Sequence, residues 1–282
     1  MRRFAVIGLG KFGMALAEEL TRLGQQVTAI DADPDKAREA QAFVHQAYVA
    51  DATRRTSLVS MGLAEVDVGV VSLGEKMDRA SLGVLHLSEL GVPHIAAKAL
   101  NQEHASMLAR MGAHQVVFPE REMAFRLAER LGSQHVLSYV PLRSGFAVLE
   151  VAAPAAWTGR GRGRPAPGRA FGVQVLAVRE LVPERTIVSP RPDQVVKDSD
   201  ALVVLGPDAA IDRVRRLDVQ RRQFAVIGLG RFGYHLVRNL YEMGHDVLAV
   251  DDREETVQQI GPFCSQAVVA DASDEAQMKD VG

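Results

Sequence analysis

Only one cysteine, Cys264, occurs in the 282 residues, which excludes an internal disulfide framework and any cysteine-rich metal site. Its counterpart in an internal repeat is Val44, so the thiol reads as a small core residue and not as a nucleophile. An excess of charge is missing too. With 33 basic and 35 acidic residues the net charge is −2, which gives no global electrostatic case for nucleic acid or an anionic membrane. Aromatics are 5% of a chain that is otherwise 47% apolar and 24% charged, the composition of a soluble globular protein. No apolar run of about 18 residues occurs and the N-terminus has no signal-peptide pattern, so a cytosolic protein is expected. Catalytic groupings are equally scarce. The eight histidines are scattered, and none pairs with a carboxylate as a hydride-transfer enzyme would require.

What is present is a duplication. Phe4-Ala-Val-Ile-Gly-Leu-Gly-Lys-Phe-Gly13 returns at Phe224 with only Lys11 replaced, by Arg231. The alignment continues without a gap: Asp31 falls on Asp251, Val49-Ala-Asp-Ala52 on Val269-Ala-Asp-Ala272, and Gly62 on Gly282. A sustained offset of 220 residues is a repeated domain, not a solenoid of short units.

In the first copy, short apolar runs beginning at Arg3, Val27, Ala47, Val68, His94 and Gln115 alternate with amphipathic stretches closed by Gly24, Gly62, Gly91 and Gly112. This predicts an α/β fold: a doubly wound parallel Rossmann sheet covered on both faces. A long helix from Pro119 to Leu131 follows, and its apolar set of Met123, Phe125, Leu127 and Leu131 suits a partner-facing stripe or an intrachain core face equally. Strands over Ala147–Val151, Gln174–Val178, Arg185–Val188 and Leu202–Leu205, a turn near Val182–Glu184 and a helix over Ala209–Leu217 form a small α+β lobe. The expected domains are 1–140, 141–217 and, after a linker at Asp218–Arg222, a truncated second Rossmann half at 223–282. Arg160–Ala170 reads as a disordered solvated loop, since its glycines and prolines oppose a helix.

The glycine loop has a specific chemistry. Gly8 permits the tight strand-to-helix turn, Gly10 lets a phosphate approach the backbone, and Gly13 allows close helix–strand packing. The following helix points its free N–H groups at the phosphate. Asp31 stands 18 residues after Gly13, at the end of the second strand, where a carboxylate accepts from a ribose diol and disfavours a 2′-phosphate. Lys11, beside Phe12 inside the loop, either neutralises extra phosphate charge or is a solvated first-turn residue. Asp51, followed by Ala52 at the same sheet edge, either meets the ligand or caps the next helix. Gly228, Gly230, Arg231, Gly233 and Asp251 repeat the set.

FAVIGLGKFG, AIDADP, VADAT, KALNQEHASMLARMGA and VVFPEREMA together resemble the Trk/Ktr-type regulatory subunits of bacterial potassium transporters, which are built from RCK (regulator of potassium conductance) domains. The resemblance covers residues 3 to 217 and, as a partial copy, 223 to 282. It implies a non-enzymatic subunit that binds ATP, ADP or NAD(H) at the Rossmann edge. The subunit would sit peripherally on the inner membrane face and gate a membrane potassium-translocating partner through a homo-oligomeric ring. That ring would be octameric, or tetrameric for an intact tandem protein of roughly 440 residues. It also places Lys11 at the terminal phosphates, Lys98 facing the ligand, and Glu120 at an intersubunit divalent or sodium ion site; Glu120 also suits a first-turn helix carboxylate. The helix after Pro119 would be a crossover between subunits. Two features depart from the family: RGRGRPAPGRA stands where relatives carry a leucine-containing helix, and the second copy stops after three strands. A fragment or an interrupted fusion is expected, or strands borrowed from another subunit. The alternative function is an NAD-dependent oxidoreductase.

Overall fold

The computed structural model describes residues 1–74, 77–133, 135–142, 145–159, 167–181, 183–191, 194–217 and 221–281. Contacts divide the chain into two units, Met1–Pro119 and Glu120–Gly282.

The first unit is a six-stranded parallel sheet. Strands β1 (Arg3–Ile7), β2 (Gln26–Asp31), β3 (Gln46–Val49), β4 (Val68–Val71), β5 (His94–Lys98) and β6 (Gln115–Val117) lie in the order β3-β2-β1-β4-β5-β6. Helices α1 (Lys11–Arg22), α2 (Pro34–Gln41), α3 (Arg55–Ser60), α4 (Met77–Glu89) and α5 (Gln102–Arg110) make the crossovers. The alternation of β1 explains why both faces are covered. Ala5 and Ile7 join one core with Leu58, Val84, Leu87, Ile95 and Leu108, while Phe4 and Val6 join the other with Ala17, Val27 and Ala40. The strand order reverses between β1 and β4, and open α/β sheets bind ligands at such a switch point.

The second unit starts with α6 (Pro119–Gly132, whose first residue closes the first unit). A five-stranded antiparallel sheet follows, in the order β10-β9-β11-β8-β7. Its strands are β7 (Val136–Pro141), β8 (Phe146–Ala152), β9 (Gln174–Leu181), β10 (Glu184–Val188) and β11 (Ala201–Pro207). Leu149 and Leu202 of this sheet are fully buried in one core with Trp157 and with Ile211 of α8 (Asp208–Arg215). The repeat then forms β12 (Gln223–Ile227), α9 (Arg231–Glu242), β13 (Asp246–Asp251), α10 (Glu254–Ile260), β14 (Gln266–Val269) and α11 (Glu275–Val281). Its sheet order is β12-β13-β14, with parallel pairing.

Two sequence expectations need correction. β7 was not foreseen, because its VLSYVP run at a sheet edge leaves most side chains exposed and shows no apolar alternation. The end of the RGRGRPAPGRA segment is not loop: α7 spans Pro167–Phe171, and proline at the first helical position suits a helix start. Gly168 is buried there, with Val173 O only 2.2 Å from where a Cβ would stand. Residues 160–166 of that segment, Val182 of the expected turn, 218–220 of the linker and Gly282 lie outside the described residues. Of the apolar set of α6, open to a partner-facing or an intrachain reading, Leu127 joins the core of its own unit. Met123 and Leu131 are exposed, whereas Ala124, Leu127 and Ala128 pack with Leu236, Val237 and Leu240 of α9 and Val247 and Ala249 of β13.

Candidate nucleotide-binding loops

The first loop leaves β1 beside β4. Gly8 N donates to Ile30 O (2.8 Å) and Ser72 N donates to Ile7 O (2.7 Å), which fixes the crevice between the two strands. Gly8 has φ +92°, and a Cβ there would lie 2.3 Å from Ser72 O. A Cβ on Gly13 would lie 1.9 Å from Gly8 O, so the helix can approach the strand only with glycine at that position. Gly10 differs: it is exposed, with nothing within 4 Å of a built Cβ. It is the helix N-cap residue, with no side-chain cap and no acidic residue in the first turn of α1. Backbone N–H groups with a positive helix end and no competing carboxylate constitute an anion site. Lys11 is exposed and Phe12 half-buried at the start of this helix.

Asp31 does more than face a crevice. Its Oδ2 accepts from Leu9 N (2.6 Å) and its Oδ1 from Asp33 N (2.9 Å), so the carboxylate ties the glycine loop to the end of β2. Asp51 Oδ1 accepts from both Thr53 N (3.0 Å) and Thr53 Oγ1 (2.8 Å). Those hydrogen bonds, helped by Arg79 and Arg54, hold the Asp51 carboxyl below the usual carboxylate range. It therefore caps a turn preceding α3, whose own N-cap residue is Arg54. Ala52 is buried in the core. Lys98 is half-buried at the end of β5, two strands from β1, on the far side of the switch point from Asp31. Glu120 is half-buried at the start of α6, close enough to His235 to favour its protonation. Among the described residues no three histidine, cysteine or acidic side chains come together as a metal site.

The second loop repeats the geometry in a different setting. Gly228 has φ +88°, Gly230 is again an N-cap residue without a side-chain cap, and a Cβ on Gly233 would lie 1.9 Å from Gly228 O. Arg231 is half-buried where Lys11 is exposed. Leu229 N donates to Asp251 Oδ2 at 2.6 Å, the same distance as in the first copy. Yet Asp251 is buried, and its Oδ1 accepts from Arg253 Nε (3.0 Å) and Arg253 N (3.1 Å). Burial pushes its carboxyl up, but the bonds from Arg253 and Leu229 outweigh that and leave it below the ordinary value. The equivalent of Arg253 in the first copy is Asp33. Aligning the two copies two residues beyond the conserved aspartate would have exposed this difference.

With this geometry established, the profile of the TrkA-N domain family matches residues 4–119 and 224–282. The chain belongs to the TrkA-N family. Among curated relatives it is 34% identical over 215 residues to Ktr system potassium uptake protein C of Bacillus subtilis, covering 76% of this chain and 96% of that protein. It is 30% identical over 212 residues to protein A of the same system in that organism, covering 75% and 95%. Among solved structures the GsuK channel superposes with a TM-score of 0.69 at 17% identity, over 100% of this chain and 51% of the channel chain. The GsuK RCK domain superposes with a TM-score of 0.68 at 18% identity, over 100% and 61%. This chain thus spans about half of the channel it resembles in fold.

Proposed function

We propose that this TrkA-N chain is a nucleotide-responsive regulatory subunit of a membrane potassium-uptake system, acting by binding and not by catalysis. The observation that carries the reading is its similarity to Ktr potassium uptake proteins over nearly their whole length, joined to a first glycine loop in a complete six-stranded sheet. The ligand is an adenine nucleotide, ATP, ADP or NAD(H), with its phosphates on the first turn of α1 and its ribose at Asp31. The GsuK channel, which this chain resembles in fold, has been solved bound to NAD and bound to ADP, in support of this ligand class.

In this reading Gly8, Gly10 and Gly13 shape the phosphate cradle, Lys11 reaches the outer phosphates, and Asp51 and Lys98 flank the crevice. Glu120 would hold a cation only together with groups from a second chain, in a homo-oligomeric ring of eight subunits or of four tandem ones. The ring lies on the inner face of the membrane through its transporter partner. A nucleotide that binds one ring geometry more tightly than another shifts the gate, with a coupling of about 1–3 kcal/mol. Calorimetry with ATP, ADP and NADH, paired with potassium uptake by a transporter-bearing strain, tests it. Saturable binding together with nucleotide-dependent uptake is expected. Turnover of NADH with a small-molecule substrate would overturn the regulatory reading.

A further inference from the structure

The helix that follows the second glycine loop carries a polar face the nucleotide site does not use. His235, Arg238, Asn239 and Glu242 recur at helical spacing on α9, one above another. The first copy has Ala15, Glu18, Glu19 and Arg22 at those positions, so a face that is acidic there has become rich in donors here. Opposite stand Arg121, Phe125 and Arg126 of α6, with Tyr139 of β7 closing one end. Between them is a cavity of about 560 Å³. That is within the range of about 300–1,000 Å³ that small-molecule sites occupy. Its lining shares no residue with either glycine loop.

Arg126, His235 and Asn239, and one nitrogen of Arg238, keep donor capacity that the described residues do not use. Arg238 is pinned by Glu242 (3.3 Å) and by the Phe263 ring (4.5 Å to the centroid), yet its Nε is buried with no hydrogen-bond partner among the described residues. The Asn239 amide, the His235 ring nitrogens and the Arg126 guanidinium likewise make no hydrogen bond or ion pair among the described residues. Burial, and then Arg121 and Arg238, hold His235 below its ordinary value, against the pull of Glu120. Three arginines, Arg121, Arg126 and Arg238, stand against two carboxylates, Glu122 and Glu242, in the lining. Glu242 is committed to Arg238, and Glu122, the other carboxylate in the lining, already has a partner. The apolar part is rigid: Phe125 and Tyr139 meet edge to face at 5.9 Å, and Arg215 lies over both rings at 6.0 and 5.1 Å.

We propose that this cavity binds a small aromatic anion, a planar ring bearing a phosphate, carboxylate or sulfonate. The guanidinium and amide donors take the acidic group, and the ring rests against Phe125 and Tyr139. Such a ligand would bridge α6, β7 and α9 and so act on the helix that leaves the first sheet.

The test uses the full chain with labelled histidine and tyrosine rings, the His235 and Tyr139 signals being assigned with H235Q and Y139F. AMP and anilinonaphthalene sulfonate are titrated as aromatic anions, with inorganic phosphate alone as the control. Saturable shifts of both rings are expected with at least one aromatic anion. Its affinity should exceed that of phosphate about tenfold and fall about tenfold in R126A/N239A, whose thermal midpoint stays unchanged. Rings that stay still with both anions, equal binding of phosphate alone, or an R126A/N239A protein that binds as well as the parent would each overturn the proposal.

Discussion

A ten-residue segment recurs in this chain with one change, Lys11 to Arg231, and the two copies fold into different surroundings. In the first copy Ala5 and Ile7 are fully buried between β2 and β4, under α3, α4 and α5. In the second, their counterparts Ala225 and Ile227 are exposed, Ile227 to 54%, while Val226 stays buried. Local geometry is indifferent to this: both loops have a glycine near φ +90° and the same 2.6 Å bond from loop to aspartate. The motif supplies a turn and a helix end, whereas the site also needs the neighbouring strand that forms the other wall of the crevice.

Substitutions at equivalent positions sharpen this contrast. The largest effect is expected at the loop glycines. In Gly8→Ala a Cβ meets Ser72 O at 2.3 Å at a strained φ, which should cost about 3–4 kcal/mol. Gly228→Ala meets no atom within 4 Å, and should cost only the left-handed backbone penalty of about 1–2 kcal/mol. Amide hydrogen exchange in β1 and β12 reads the two separately.

Acid should then separate the copies. Arg2 N donates to Gln25 Oε1 (2.9 Å), and the equivalent Arg222 N donates to His245 Nδ1 (3.4 Å). Burial, then Arg222, holds His245 below its ordinary 6.5. A depressed histidine favours the neutral ring in the fold. Its contribution is therefore complete above pH 6.5 and is lost as pH falls through the lower folded value. The second unit should lose stability below pH 6.5 while the first does not lose it at this position, and His245→Gln should flatten that slope in a pH series of urea melts. A smaller change is expected in Arg253→Ala, where the Asp251 carboxyl should titrate higher by carbon NMR because its side-chain partner is gone. The smallest effect belongs to Lys11→Ala. It should weaken ATP about fivefold and NADH less than about twofold by calorimetry, since an exposed cation acts only on the outer phosphates.

Much of this was legible beforehand for identifiable reasons. Buried parallel strands such as Val68–Val71 are continuous apolar runs, and helix ends marked by Gly24, Gly91 and Gly112 all have positive φ. Hence the strands and helices of the first sheet were recognisable within a few residues of their bounds. β7 was hidden because an edge strand with exposed side chains has no alternation to detect. The packed face of α6 was hidden for a different reason. Its contacts are made by the small residues Ala124 and Ala128, while large apolar residues such as Met123 point to solvent. At the site, the glycines and Asp31 followed from spacing. The tie from Leu9 N to Asp31 did not, because a backbone donor leaves no mark in the side-chain sequence. Nor did the shielding of Asp251 by Arg253, which depends on comparing the copies beyond their conserved motifs.

The proposed nucleotide site is the first loop, in its complete six-stranded sheet. Calorimetric stoichiometry tests it most directly, with ADP titrated into the parent chain and into Asp31→Ala and Asp251→Ala. The account predicts one nucleotide per chain, binding weakened about tenfold or more by Asp31→Ala, and little change in Asp251→Ala. Two nucleotides per chain, or binding that survives Asp31→Ala and is lost in Asp251→Ala, would contradict it.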